Sequence, residues 1–225
     1  MPKVKLIDHT PDPEKVVVLA ARQTRSEGLV DEGELTEELI DKVMRTLIFR
    51  KHLSPLEHAY FTFLVWDISR ICSHQLVRHR MASYSQQSQR VVKLTRASFI
   101  TPPSILEKEE ALRIYNESLN FAVNAYNELV SMGIPKEDAR FVLPQAIETK
   151  LVVTMNAREL LHFFGLRLCK KAQWEIRELA LKMLEEVKKV APVMFKYAGP
   201  RCWDYHYCPE GDSKCFLATI KEKPR

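Results

Sequence analysis

The chain has 225 residues, of which 46% are hydrophobic and 28% charged, and its formal net charge is +5. Those proportions suit one folded domain over residues 1–225 and exclude a low-complexity or disordered chain. No apolar run reaches membrane-spanning length, and Met1-Pro2-Lys3-Val4 is too poor in apolar residues to open a signal peptide, so the expected setting is the cytoplasm, with no membrane partner.

Asp12 before Pro13 predicts a helix start, with the helix running to about Arg25. A second helix is predicted after Thr36, because Leu39, Ile40, Val43, Met44, Leu47 and Ile48 recur at helical spacing. Ser54-Pro55-Leu56-Glu57 reads as a capping box. Tyr60 to Trp66 is aromatic and β-branched and reads as a strand, after which Asp67 or Ser69 caps a helix towards His79. Met81 to Gln89 reads as a polar loop and Arg90 to Leu94 as a strand. Ser104 and Glu107 suggest a capping box opening a long helix with Leu112, Tyr115, Leu119, Ala122, Tyr126 and Leu129 on one face, ended by Gly133. Pro135 begins a short helix that Pro144 stops, and Lys150 to Thr154 reads as a strand. Asn156 and Glu159 cap a further helix that Gly165 ends, and a last helix runs from about Ala172 to Lys196. Helices dominate, strands are separated, and β-α alternation is missing. The expected class is therefore α+β: a helix-rich single domain with an antiparallel or mixed sheet, not a Rossmann fold.

Two local features bear on chemistry. Between Asp67 and Glu107 there is no acidic residue, whereas Arg70, Arg78, Arg80, Arg90, Lys93 and Arg96 all fall there, which suggests an anionic partner. Only six glycines occur, none in a P-loop or G-x-G-x-x-G turn, so phosphates would be met by side chains. The five cysteines are Cys72, Cys169, Cys202, Cys208 and Cys215, the last three crowding a tail over about residues 200–225. An odd count argues against a disulfide framework, and the spacing matches no C-x2-C zinc pattern, so the reading is reduced thiols and no metal, with zinc or a disulfide as the alternative.

The informative segment is Gln75-Leu76-Val77-Arg78-His79-Arg80, then Met81 to Gln87, then Ser88-Gln89-Arg90. On a helix Gln75 and Arg78 share a face, and guanidinium groups offer forked donors for phosphate oxygens. On these residues alone, a nucleotide site and a nucleic-acid surface remain equally open.

Arg78-His79-Arg80, seven residues, then Ser88 resembles the signature of the flavin-dependent thymidylate synthases. His52-Leu53-Ser54-Pro55-Leu56-Glu57-His58, Asn156-Ala157-Arg158, Leu166-Arg167 and Ala172-Gln173-Trp174-Glu175-Ile176 extend the likeness from roughly Val17 to Ala191. The resemblance implies methylation of dUMP to dTMP, with FAD carrying a hydride and the carbon unit of 5,10-methylenetetrahydrofolate, and NADPH resupplying electrons. It implies FAD contacts at Ser54, Arg78, His79, Arg80, Gln86, Asn156, Arg158 and His162, with Thr24 and His52 as additions. It implies dUMP contacts at Gln75, Arg78, Gln86, Gln87, Ser88, Gln89, Arg90, Arg140 and Arg167, Arg90 and Arg140 suiting the phosphate. Arg167 is the implied catalytic residue, stabilising negative charge on the uracil so that C5 attacks without an enzyme nucleophile. Ser88 has no base in its loop and reads as a hydrogen-bonding residue, and Cys72 reads as core. Similar proteins are homotetramers with sites shared between subunits, and the same is expected here. Gln86 stands where many relatives have Glu, Ser85 where they have Asn, Lys171 where some have His, and His162 where they have Asn. The rival reading, a basic nucleic-acid-binding module, leaves the flanking matched segments unexplained.

Overall fold

The computed structural model describes residues 1–92, 97–205, 207–212, 214 and 215. In chain order the elements are β1 (Lys3–His9), α1 (Pro13–Gln23), α2 (Glu37–Phe49), β2 (Tyr60–Ser69), α3 (Arg70–Leu76), β3 (Ala82–Gln86), α4 (Pro103–Leu106), α5 (Glu109–Ser131), α6 (Lys136–Ala139), β4 (Glu148–Asn156), α7 (Ala157–Arg167), α8 (Trp174–Val190) and α9 (Arg201–Tyr205), with 3-10 turns at Glu32–Glu34, Ser54–His58 and Arg140–Val142. Among the described residues, four strands form one antiparallel sheet in the order β1-β2-β4-β3. The class is α+β, as expected.

Period-two alternation explains the sheet's buried face. Phe61, Phe63 and Val65 of β2 lie opposite Met155, Val153 and Leu151 of β4, and all six are buried. On the other face Thr62 and Thr154 hydroxyls meet at 3.0 Å. Helix α8 lays Ile176, Leu179, Ala180, Met183, Leu184 and Val187 into the same core, joined by Phe163 and Phe164 of α7 and by Met44 and Leu47 of α2. No helix among the described residues is long and apolar enough to cross a membrane.

Several elements depart from the expectation. Lys3–His9 is an edge strand, and its partner β2 continues past Trp66 through a register shift at which Asp67 takes φ 54°. Asp67 therefore caps nothing and pairs with Lys3 at 2.7 Å, while the Ser69 hydroxyl caps α3 by accepting from the Cys72 amide at 3.0 Å. The polar segment Ala82–Gln86 is strand β3 rather than loop, because β4 supplies its ladder partner. Arg90–Val92 turns instead of extending, and Lys93 and Leu94, the rest of that expected strand, lie outside the described residues.

Local signals also failed at helix ends. Asp12 sits at φ 43° and makes no side-chain cap. Ser54 starts a 3-10 turn without capping it, and Lys108 separates α4 from α5, so Ser104 and Glu107 form no box. Asn156 does cap α7, its side-chain oxygen accepting from the Glu159 amide at 2.9 Å. Gly165 does not end α7, which runs on to Arg167, and α8 is shorter than expected, starting after its Gln173 cap and stopping at Val190.

Candidate functional site

The turn after α3 drives His79 against α7. Its ring is 3% exposed and packs edge-on against Phe163, centroids 4.9 Å apart, and His162, 5.6 Å apart. Arg167, on the last turn of α7, donates from Nε to His79 Nε2 at 3.1 Å and from Nη2 to the Gln75 carbonyl at 3.1 Å. His79 Nδ1 lies 3.4 Å from Glu159 Oε1, and among the described residues it makes no hydrogen bond.

Burial, then the charges of Arg167, His162 and Arg201, push His79 down to about 4. The ring is therefore neutral at neutral pH. Since Nε2 accepts from Arg167, its one proton belongs on Nδ1, facing Glu159, whose carboxyl is raised above the ordinary value by burial. Burial also depresses Arg167, with Cys72 opposing and Arg78 adding to the shift. Among the described residues the hydrogen-bond acceptors of Arg167 are an uncharged ring and a carbonyl, so it is a partly desolvated cation without a carboxylate.

Glu57, Met81, Asn156, Arg158, Glu159 and His162 line a cavity of about 390 Å³ beside this cluster. Arg158 and His162 also wall a second cavity of about 390 Å³ under α9, where Arg201 Nη2 and His162 Nδ1 are 3.1 Å apart. Arg158 pairs with Glu57 at 2.5 Å. Thr24, His52 and Ser54 come together in another cavity of about 530 Å³ that Arg22, Arg25 and Arg50 make basic.

The expected nucleotide residues divide into two surroundings. Gln75 and Arg78 lie near Arg167 at the end of α3, and Arg78 and Arg80 are exposed. Ser88 and Arg90 line a cavity of about 530 Å³ with Pro135, Lys136 and Glu137. There Arg90 Nε meets Glu137 Oε2 at 2.5 Å, and Arg140 donates to the Glu137 carbonyl at 2.9 Å. Gln87 and Gln89 are half-buried beside them. Gln86 turns inward, donating to Ser73 Oγ at 2.9 Å and Thr149 Oγ1 at 3.1 Å, so its amide nitrogen ties β3 to α3 and β4.

The family model described as Thymidylate synthase complementing protein (Thy1) matches residues 5–193. The chain belongs to this family. Among its relatives, a protein of Geobacter sulfurreducens named flavin-dependent thymidylate synthase is 51% identical, the alignment covering 96% of this chain and 95% of that one. Proteins of the same name from Clostridium tetani, 46% identical over 98% of this chain and 96% of theirs, and Pyrococcus furiosus, 44% over 94% and 91%, agree.

Within this Thy1 chain, four participants escaped the sequence reading. Glu57 and Glu159 were visible only as cap residues, Met81 only as a loop residue, and Arg201 sits in a helix that no periodicity announces. His79, Glu159 and His162 present ligand atoms within 4.8 Å of one another, a spacing a metal could use. Arg167 and Arg201 already occupy a nitrogen of each histidine, and two guanidiniums beside the cluster oppose a further cation. The cluster suits a hydrogen-bonding or anionic ligand better.

Proposed function

We propose that this chain is a flavin-dependent thymidylate synthase that converts dUMP to dTMP, with FAD as cofactor and 5,10-methylenetetrahydrofolate and NADPH as co-substrates. The observation that carries the reading is Arg167: a half-buried guanidinium held by His79 and the Gln75 carbonyl, in a family whose relatives bear that name.

A flavin fits the residues present. The buried His79 Nδ1 carries the ring's proton and has no hydrogen-bond partner among the described residues, and the adjoining cavity offers Asn156, Arg158 and His162. Arg78 and Arg80 supply cationic donors for a pyrophosphate, and Ser54, with Thr24 and His52, lines a basic cavity suited to the same anionic ligand. When bound, FAD supplies the hydride of the reaction, and NADPH restores it.

The chain's own part is to bind, orient and hold charge. Arg90 and Arg140 take the dUMP phosphate, Arg90 exchanging its Glu137 contact for it, and Ser88 with Gln87 and Gln89 orients the nucleotide. Gln75 fixes Arg167, which stabilises the anionic uracil as C5 bonds to the one-carbon unit. The C5 proton leaves and a hydride completes the methyl group. Gln86 acts from inside, holding β3 in place. The active form is a homotetramer with sites shared between subunits, and the cytoplasm is the setting this reading assigns.

The test is reconstitution. Purified protein should be yellow and form dTMP only when dUMP, methylenetetrahydrofolate and NADPH are all present. Colourless protein that takes up no added FAD would end the proposal.

A further inference from the structure

The mechanism leaves helix α9 unused, yet α9 is docked beside the candidate site. Two glycines admit it. A Cβ on Gly199 would stand 2.1 Å from Trp203 Cε3, so the bare glycine lets that ring fold back onto the turn before α9. A Cβ on Gly165 would stand 3.2 Å from Arg201 Cγ, so the Arg201 stem lies directly on α7. Asp204 pairs with Lys51 at 2.8 Å and ties the far end of α9 to the segment after α2. This docking brings the Arg201 guanidinium to His162, Nη2 to Nδ1 at 3.1 Å. Among the described residues Arg201 has no ion pair with a carboxylate.

A guanidinium has donors only, which fixes the roles in that contact: Arg201 donates and His162 Nδ1 accepts. An imidazole that accepts at Nδ1 is neutral and carries its one proton on Nε2. Burial, then the charges of Arg201 and Arg167, lower the His162 pKa, in keeping with a neutral ring. His162 lines both the cavity under α9, where Arg201 sits, and the cavity it shares with Asn156 and Arg158. We propose that Arg201 is a positioning residue of the flavin site, which locks His162 in the Nε2–H tautomer and so makes it a fixed donor to a carbonyl oxygen or an unprotonated ring nitrogen of the flavin. The inference rests on the flavin reading of that shared cavity. A neutral histidine without such a neighbour exchanges between tautomers and presents either a donor or an acceptor. An asparagine amide at this position would offer an N–H whatever stood beside it, whereas a histidine needs the choice made for it. The same device operates next door, where Arg167 donates to His79 Nε2 and leaves that ring's proton on Nδ1. The two rings, 5.6 Å apart, thus each keep one N–H for a ligand, and each is set by its own arginine.

Full-length protein carrying isotope-labelled histidine is followed by NMR before and after loading with FAD. The His162 signals, assigned by their loss in His162→Asn, should show a neutral ring with its proton on Nε2 in wild type and a mixture of tautomers in Arg201→Ala. FAD titrations of the flavin-free protein supply the second arm. Arg201→Ala should weaken FAD binding about threefold to tenfold, and Arg201→Lys should recover most of the loss, because an ammonium also donates without accepting. In a His162→Asn background the same Arg201→Ala change should alter affinity less than about twofold, since no ring remains to be oriented. Equal losses in both backgrounds, no loss in the wild-type background, or a wild-type ring protonated on Nδ1 would each overturn the proposal. The wild-type tautomer decides even if an Arg201 variant fails to fold. Wild-type protein that shows the Nε2 proton yet binds no FAD would overturn the flavin reading while upholding the hold of Arg201 on His162.

Discussion

Arg167 and His79 form a pair in which each explains the other's state. Burial and then the guanidinium lower the imidazole's basicity, and the neutral imidazole can accept from the guanidinium, leaving a cation with no carboxylate acceptor among the described residues. Arg167→Ala should keep the fold, because the residue is only half-buried, but should lower dTMP formation about 100- to 1000-fold at saturating dUMP, the usual loss for one charge-stabilising donor. Turnover within about threefold of wild type would remove Arg167 from the catalytic role. His79 carries a pH prediction. Its folded pKa, about 4, lies below the ordinary 6.5, so between these values the unfolded chain binds more protons. Stability therefore falls as pH drops from near 6.5 towards 4. His162, also depressed by burial, Arg201 and Arg167, acts in the same sense, while Glu159, raised by burial, acts in the opposite one. Comparing wild type with His79→Gln cancels both neighbours to first order. Between pH 7 and 4.5 wild type should lose roughly 2 kcal/mol more than the variant in urea unfolding. Parallel pH curves would mean that His79 takes up its proton as readily in the folded protein as in the unfolded chain.

At the level of elements, α3 is aimed by one buried carboxylate. Glu175, 2% exposed, accepts from the Ser69 amide at 2.6 Å and the Ser69 hydroxyl at 2.5 Å, and that hydroxyl caps α3. Glu175→Ala would strand two buried donors and should lose about 2–4 kcal/mol in urea denaturation. Ser69→Ala should lose about 1–2 kcal/mol, and Glu175→Gln less than Glu175→Ala, since an amide oxygen still accepts. A change below about 0.5 kcal/mol in Glu175→Ala would show that α3 is held otherwise. Ser69 as a cap was readable from sequence because a cap acts within three residues, as were Thr36 and Asn156, whose side chains cap α2 and α7. Glu175 was not readable as the partner of Ser69, for the contact spans more than a hundred positions. The same reason hid β3: Ala82–Gln86 is polar and becomes a strand because β4 offers a ladder and the Tyr84 hydroxyl donates to the Leu76 and His79 carbonyls, at 2.9 and 2.8 Å. The Arg-His-Arg motif marked the right surface, yet Glu159 and Arg201 joined it only through tertiary packing.

The whole molecule raises the matter of assembly. Helix α5 buries Leu119 and Tyr126 but leaves Ile114 and Phe121, seven apart on one stripe, 55% and 77% exposed. Phe141 at 83% and Met132 at 73% extend the apolar area, more than a lone subunit ordinarily shows to water. Arg90, meanwhile, is engaged by Glu137, and Arg167 by His79 and Gln75, so the two proposed dUMP ligands stand in different surroundings of one chain. The proposed site shared between subunits would reconcile these facts, by covering the apolar stripe and setting Arg90 of one subunit against Arg167 of another. Such a site exists only in the oligomer, so FAD should raise the assembly's stability by mass action. Mixing tests the arrangement directly. Arg90→Ala and Arg167→Ala subunits, each inactive alone, would be co-expressed with different tags and the hybrids purified through both. If the two residues come from different chains, some interfaces in the hybrid pair an intact Arg90 with an intact Arg167. Activity should then return to up to about a quarter of wild type with random mixing and independent sites. Hybrids proven to contain both subunits yet still inactive would place both arginines on one chain, and the shared-site arrangement would have to be abandoned.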